Sequence, residues 1–413
     1  MLRGVPPRER LLLLGAMAAG VAVVALYVLT TRSHPLSGDE VFYDETARFW
    51  ADGKLWWGTP PFGEAHATAW KPPLYPAFVG TLYAIVGESP LWVALVQAPL
   101  AGVAVGLTWG LARRLFDARV AVVAAWVVAL FPLAFEYYGL LFPEALAIPL
   151  TLLALHLFLE REPTTRRAVA VGAVIGTGLL VRPTSGFLFA GVLAAFVLAA
   201  GWRRGAVLTV VAVATAALVV APWTIRNYVE HDGLIPISVQ DAAVYGTFNA
   251  EAARDDFAWR AYLEDPPEVI AERDPDTTEA EFRSELQSFA LDYIEENPSS
   301  VPRAFFWNGI VRFWDLRSPD AALDEVAFQG RSRTVRGIGL GMYYLLLPLA
   351  AVGLWRLRRR RSLVVPVLAL AATASLTFTV LGGTRYRAPL EPLVVVLAAS
   401  LLTTTTPRPR PLP

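Results

Sequence analysis

Asp39 and Glu40 are adjacent carboxylates in the segment SGDEVFYDETARFWADGK (37–54), which follows an apolar run from Leu11 to Leu29. Ionised groups at a lipid boundary are costly, so their presence there reads as functional by default. The chemistry they offer is general-base catalysis. A carboxylate within hydrogen-bond reach removes the proton of an attacking hydroxyl, and a second one positions it. The same residues also suit a helix start, with Ser37 or Asp39 as the N-cap of a helix through 40–51.

Lys71 lies in the cluster WKPPLYP (70–76) and shares with Lys54 the distinction of being a lysine in a chain whose other fixed cations are all arginine. A lysine ammonium is a compact point charge suited to phosphate, although a lysine snorkelling at an interface has the same sequence context. Arg182-Pro183, Arg226-Asn227 and Arg385-Tyr386-Arg387 each fall at the outer end of a predicted span, where the positive-inside rule disfavours arginine. Convergence on an anion such as a lipid phosphate would explain them, and interfacial anchoring is the simpler alternative. Glu136, Tyr137, Tyr138 and Glu144 form a further external group. Glu144 follows Pro143 and starts a helix, where the dipole favours a carboxylate. Catalysis is therefore sought at Asp39, Glu40 and Glu144, and anion binding at Lys71, Arg226, Arg385, Arg182 and Arg387. Tyr43, Trp70, Tyr75, Tyr137, Tyr138, Trp223, Asn227 and Tyr386 flank these charges as candidates to line a substrate cavity. The four histidines show no metal-ligand spacing, and His66 with Glu64 is a weak candidate pair. Gly172, Gly176 and Gly178 read as small-residue helix packing rather than a nucleotide loop.

The elements that position these residues are membrane helices. Of 413 residues, 55% are hydrophobic and 17% charged, against about 25% charged in soluble domains. Apolar runs predict spans near 11–30, 89–111, 119–137, 143–160, 168–182, 184–200, 206–223, 336–355, 363–381 and 386–403. Arg182-Pro183 is expected to interrupt the pair 168–200, as a broken or re-entrant helix. The chain has no cysteine, which excludes disulfides and thiolate metal sites. MLRGVPPRER resembles a signal n-region, but no small-residue cleavage site follows, so the first apolar run reads as an uncleaved span.

Arg113-Arg114, Arg166-Arg167, Arg203-Arg204 and Arg356 to Arg361 lie in short turns. The positive-inside rule places these turns and the N-terminus in the cytoplasm. It places 31–88 and 224–335 outside. The expected organisation is an N-terminal transmembrane catalytic module (1–223), an acidic lobe (224–335), and C-terminal transmembrane helices with a cytoplasmic tail (336–413). Loop 31–88 is too long for a connector, and its aromatics predict short amphipathic helices at the interface. Helical patterns near 278–296 and 300–315, broken at Asn297-Pro298, predict a mostly helical lobe. Its acidity excludes nucleic-acid binding there.

In order and spacing, GDEVFYDETARFWADGK (38–54), KPPLYPAF (71–78), RRLFDARVAVVAAWVVALFP (113–132), FPEALAIPL (142–150), LLVRPTSG (179–186), APWTIRNYVEHDGLIPIS (221–238) and RYRAPLEP (385–392) resemble the GT-C class of lipid-linked-sugar glycosyltransferases. The similarity is to the prokaryotic family related to protein O-mannosyltransferases and the lipid A aminoarabinose transferase. It implies an all-α polytopic fold and an inverting sugar transfer from a polyprenyl-phosphate donor on the outer face of the plasma membrane. The acceptor would be a lipid, glycan or protein. The family's catalytic acid maps to Asp39 and its phosphate grip to Lys71, Arg226 and Arg385. Where the aminoarabinose transferase pattern has a metal-binding glutamate before the lysine, this chain has Trp70, which removes the reason to expect a metal cofactor. A flippase of lipid-linked sugars and a non-catalytic envelope assembly protein are the competing functions. The first should show mid-membrane charges and repeats, and the second should tolerate loss of Asp39.

The topology is checked by introducing single cysteines at Ser284 and Ser332 and treating intact cells with an impermeant thiol reagent. Labelling before lysis is the expected outcome, and labelling only after lysis would invert the orientation.

Overall fold

Local signals start most of the long helices. Pro7 opens α1 (Pro7–Thr30) at its first turn, where a missing N–H costs nothing. The Asp117 carboxylate caps α5 (Ala118–Leu130), accepting from the N–H groups of Arg119 and Val120 at 2.9 and 3.0 Å. Between them lie α2 (Asp39–Ala51), α3 (Leu74–Val86) and α4 (Pro90–Leu115), the last capped by Ser89. The computed structural model describes residues 5–60, 64–159, 162–239, 274, 277–324, 331–377 and 383–403. The expected cytoplasmic tail beyond 403 and much of the acidic lobe lie outside the described residues.

Pro132 ends the span expected at 119–137. It cannot donate to the preceding turn, and the chain bends by 73° between α5 and the helical segment 132–139, made of α6 (Pro132–Phe135) and a 3₁₀ turn. The bend carries Glu136, Tyr137 and Tyr138 into the protein, where all three are buried. The break expected at Arg182-Pro183 is present. After α7 (Glu144–Phe158), α8 (Thr165–Val181) stops at an extended Arg182 and a 3₁₀ turn leads into α9 (Leu188–Ala200). The next helix, α10 (Trp202–His231), runs unbroken past the expected span end at 223. The small-residue packing expected at Gly172 and Gly176 is real: a Cβ at Gly172 would collide with the Ala212 carbonyl, so only glycine lets α8 lie this close to α10.

In the lobe, α11 (Glu279–Glu296) begins at a capping box in which Thr278 and Glu281 satisfy each other's backbone donors. A short α12 (Ser300–Ala304), a π-helical stretch over 305–312 and α13 (Pro319–Asp324) follow. Ser332 then caps α14 (Arg333–Arg356), so Ser284, which is exposed, is the cleaner of the two labelling positions. The last helices are α15 (Arg361–Thr377) and α16 (Glu391–Ala399), with a 3₁₀ turn over 384–390 before α16. Every residue of α16 is buried. A helix apolar on all sides belongs in a core, and α16 packs against α5 and α14. Loop 31–88 also contains a two-stranded ladder that the sequence did not announce, β1 (Trp57–Gly58) against β2 (His66–Ala67). Tyr43, Trp70 and Tyr75 of this loop are buried rather than interfacial.

Among the described residues, five helices are long and apolar enough to cross a membrane by length and composition, or six if the bent pair 118–139 is one span. The remaining apolar segments of the expected ten are helical but shorter or broken. The protein is thus an all-α, multi-pass membrane protein.

The Arg336–Glu136 ion pair is buried within this bundle, Arg336 also donating to the Tyr137 hydroxyl at 3.2 Å and to Thr384 Oγ1 at 2.8 Å. Removing one partner leaves an uncompensated charge. Arg336→Ala is expected to cost about 3–5 kcal/mol, seen as a lowered unfolding midpoint in detergent. The double variant Arg336→Met/Glu136→Leu should recover most of that loss, and failure to recover would mean the arginine acts through packing alone.

Candidate active site

Five charged side chains from five separate elements meet at one place. Asp39 is the first residue of α2, and Glu144 the first of α7. Both carboxylates therefore sit at the positive end of a helix. Lys71 precedes α3, Arg182 follows α8, and Arg385 lies on the 384–390 turn. Lys71 Nζ donates to Asp39 Oδ1 at 2.7 Å. Arg385 donates through Nη2 to Asp39 Oδ2, and its Nε is 3.6 Å from Glu144 Oε1. Arg182 donates to the same Glu144 oxygen. The result is a continuous ionic chain, Lys71–Asp39–Arg385–Glu144–Arg182, with three cations against two carboxylates.

Aromatic rings wall this chain. The Arg182 guanidinium lies 4.3 Å from the Tyr386 ring centroid, and Arg385 lies 4.6 Å from that of Phe142. Lys71 Nζ is 5.8 Å from the Tyr43 ring and 5.9 Å from that of Phe42. Glu144 is fully buried, whereas a quarter of the Asp39 side chain stays accessible. Asp39 is thus the carboxylate an incoming molecule can reach. Burial by itself would raise the Asp39 carboxyl, but Lys71 and Arg385 outweigh it and hold it well below the usual carboxylate range. Burial pushes the Lys71 ammonium below its ordinary value, against the pull of Asp39.

The other sequence candidates lie elsewhere. Glu40 accepts from the Leu141 N–H at 3.0 Å and from Arg331 at 3.3 Å, buried behind α2 and apart from Asp39's partners. Its neighbour in sequence is thus a clamp, because adjacent helical residues do not share a face. Arg387 is enclosed by Glu391 at 2.6 Å, the Phe313 carbonyl at 2.6 Å and the Tyr343 ring. Arg226 donates to the Thr68 carbonyl at 3.3 Å and to Asn227 Oδ1 at 3.1 Å, and it lies over Trp223. Asn227 and Trp223 in turn bond the carbonyls of Ile235 and Ile237. Tyr75 donates to Gln97, whose amide donates to the carbonyls of Tyr138 and Leu140, so this network ties α3 and α4 to the bend. Trp70 packs in an apolar cluster with Trp223, Phe282 and Leu286. Among the described residues, no group of three or more His, Asp or Glu side chains is placed to hold a metal ion.

Sequence reasoning missed the partners Arg331 and Arg336, although both are arginines at the outer start of a predicted span, the signal that flagged Arg182. Nor did it identify an apolar cavity of about 170 Å³ between α14, α15 and α16, lined by Trp314, Leu347, Leu354, Leu370, Leu390 and Leu397. Leu390 ends the same 3₁₀ turn that carries Arg385.

Residues 70–225 match the family model of dolichyl-phosphate-mannose-protein mannosyltransferases. Among solved structures, the archaeal oligosaccharyltransferase AglB from Archaeoglobus fulgidus, in complex with an inhibitory peptide and a dolichol-phosphate, superposes with a TM-score of 0.50 at 16% identity. The match covers 93% of this chain and 50% of that one. The fold is of the GT-C type. The apo form of the Archaeoglobus fulgidus oligosaccharyltransferase gives the same score at 17% identity, again over 93% of this chain and 50% of that one. ArnT from Cupriavidus metallidurans bound to undecaprenyl phosphate matches at 18% identity over 94% of this chain and 77% of its own, with a TM-score of 0.37. The chain spans about half the length of the archaeal enzyme. No curated protein matches the sequence. The fold and the match over residues 70–225 agree with the resemblance that the motifs carried.

A depressed folded-state pKa gives Asp39 a stabilising contribution that is complete above the ordinary carboxylate value of about 4. That contribution is lost only as pH falls through the depressed value. The difference in unfolding midpoint between wild type and Asp39→Asn should be constant from about pH 6 to 9 and shrink only in acid. A difference that vanishes near neutrality would mean that Lys71 and Arg385 do not hold the carboxylate ionised.

Proposed function

We propose that this protein is a membrane glycosyltransferase that moves a sugar from a polyprenyl-phosphate donor to an acceptor hydroxyl on the extracytoplasmic face of the plasma membrane, with inversion. The observation that carries this reading is the reachable Asp39 carboxylate held between Lys71 and Arg385, with Glu144 and Arg182 behind. The family match and the GT-C fold support sugar transfer from a lipid-linked donor. The apolar cavity beside Leu390 supports an isoprenyl tail in the membrane next to a charged head group.

In this mechanism, Lys71, Arg385 and Arg182 bind the donor phosphate. The acceptor oxygen attacks the anomeric carbon from the face opposite the phosphate while its proton passes to Asp39. The bond between the anomeric carbon and the phosphate oxygen breaks, and its electron pair stays on that oxygen. Charge grows on the leaving phosphate during this step, and fixed cations favour a transition state in which charge develops. The cations have a second consequence. While they grip Asp39 it is a weak base, because its proton affinity is depressed. A phosphate that draws Lys71 and Arg385 toward itself releases the carboxylate and raises its basicity. Donor binding thus prepares the base, and without donor the base stays silent. Arg226, Arg387 and Glu40 hold structure in this scheme, and Glu144 anchors Arg182 and Arg385.

The test is transfer by the purified protein from a panel of labelled polyprenyl-phosphate sugars, with the anomeric configuration of the product read by NMR. Asp39→Asn should keep its fold and lose on the order of 10²–10⁴-fold in rate, the usual contribution of a general base. Lys71→Arg should also be damaging, since a planar fork does not replace a point charge. Asp39→Asn activity within a few-fold of wild type would remove Asp39 from the chemistry. A retained anomeric configuration would exclude direct displacement.

A further inference from the structure

Lys71 is carried by a strap of chain, residues 66–71, that begins with β2 and precedes α3. Its backbone is fastened by distant partners rather than by regular structure. The Thr68 N–H donates to the Trp56 carbonyl at 2.9 Å, and the Thr68 carbonyl accepts from Arg226. The Ala69 N–H donates to Glu279 Oε2 at 2.7 Å, and the Ala69 carbonyl accepts from the Val239 N–H at 3.0 Å. The Trp70 N–H donates to Thr68 Oγ1 at 2.9 Å. That hydroxyl itself donates to Glu279 Oε1. His66 Nε2 lies 2.9 Å from the same oxygen, while its Nδ1 faces the Glu64 carbonyl at 2.8 Å. His231 Nε2 is 3.6 Å from Glu279 Oε2.

One carboxylate therefore gathers a backbone N–H, a hydroxyl and two imidazoles, more than two hundred residues away from the strap in sequence. Glu279 is almost wholly buried. It opens α11, whose Phe282, Leu286 and Ala290 form an apolar stripe against Trp70 and Trp223. Gly233 allows this approach, since a Cβ there would collide with the Ala280 Cβ. The capping box at Thr278 and Glu281 already starts the helix, so Glu279 is not needed for that purpose.

We propose that Glu279 is a positioning residue for Lys71: the lobe helix α11, through this carboxylate, holds the 66–71 strap in the one conformation that delivers the Lys71 ammonium to Asp39. The lobe thereby becomes part of the anion site without touching it. The consequence for donor binding rests on the function proposed above, whereas the consequence for Lys71 itself does not.

The chain contains only two lysines, which makes the test direct. The full-length protein in detergent is pulsed with an acetylating N-hydroxysuccinimide ester, and modification at Lys71 relative to exposed Lys54 is quantified by mass spectrometry. In wild type, Lys71 is 6% exposed and ion-paired, so the ratio is low. Glu279→Ala and Gly233→Ala should each raise it several-fold by local release of the strap, with Glu279→Gln smaller. An unchanged ratio in Glu279→Ala overturns the proposal. If that variant does not purify folded, Glu279→Gln takes its place with the same criterion. The second readout is donor dependence. A strap that misplaces Lys71 should raise the half-saturating donor concentration by about tenfold or more while leaving turnover within a few-fold. A merely structural role would instead lower the amount of active protein and leave the half-saturating concentration alone. Raised Lys71 labelling with wild-type donor dependence would keep the positioning role and overturn Lys71 as a phosphate ligand.

Discussion

An ionised carboxylate next to hydrocarbon must be met by a cation, and much of this molecule follows from meeting that requirement. Asp39 is met by Lys71 and Arg385, Glu144 by Arg182 and Arg385, Glu136 by Arg336, and Glu391 by Arg387. The pairs of Asp39, Glu144 and Glu136 join elements distant in sequence, while Arg387–Glu391 ties the 384–390 turn to α16. Only the Asp39 cluster leaves its carboxylate partly accessible and carries a surplus of positive charge. The Glu136–Arg336 and Glu391–Arg387 pairs are closed off from solvent. That contrast, rather than the mere presence of charge, distinguishes the candidate site from internal bracing.

The helices and the break at Arg182-Pro183 were largely legible in the sequence because apolar runs and that dipeptide act locally, whereas the bend at Pro132 fell inside the span expected at 119–137. Asp39, Lys71 and Glu144 were also legible, each as a charge out of place at a span end. What local pattern could not give was the pairing. Arg226 and Arg385 carry the same signal, yet one is folded against Thr68 and Asn227 and the other against Asp39. Glu40 illustrates the same difficulty. It shares with Asp39 the same segment and side-chain chemistry, but one helical step rotates it onto Arg331 and the Leu141 N–H. Choices of this kind depend on contacts hundreds of residues apart, which periodicity does not encode.

Helix α11 and loop 31–88 form one packing unit on the described residues. The apolar stripe of α11 covers Trp70, and Glu279 ties the strap on which Lys71 sits. A lobe that differed in sequence but kept this seat would preserve the ionic site beneath while presenting a different outer surface.

The completely buried helix α16 bears on how the molecule is made. Domains generally gain structure in the order of synthesis, yet here a completely buried helix follows α1, α4 and α5 in the chain, and Arg385 emerges 346 residues after its partner Asp39. Until residues 385–399 are made, α5 lacks the helix that packs against it and Asp39 lacks one of its two described cationic partners. The Lys71–Asp39–Arg385 cluster is therefore complete only once the 384–390 turn has been made and seated beside α2. Any chain interrupted before that point lacks both the centre of its core and the cation that completes the cluster.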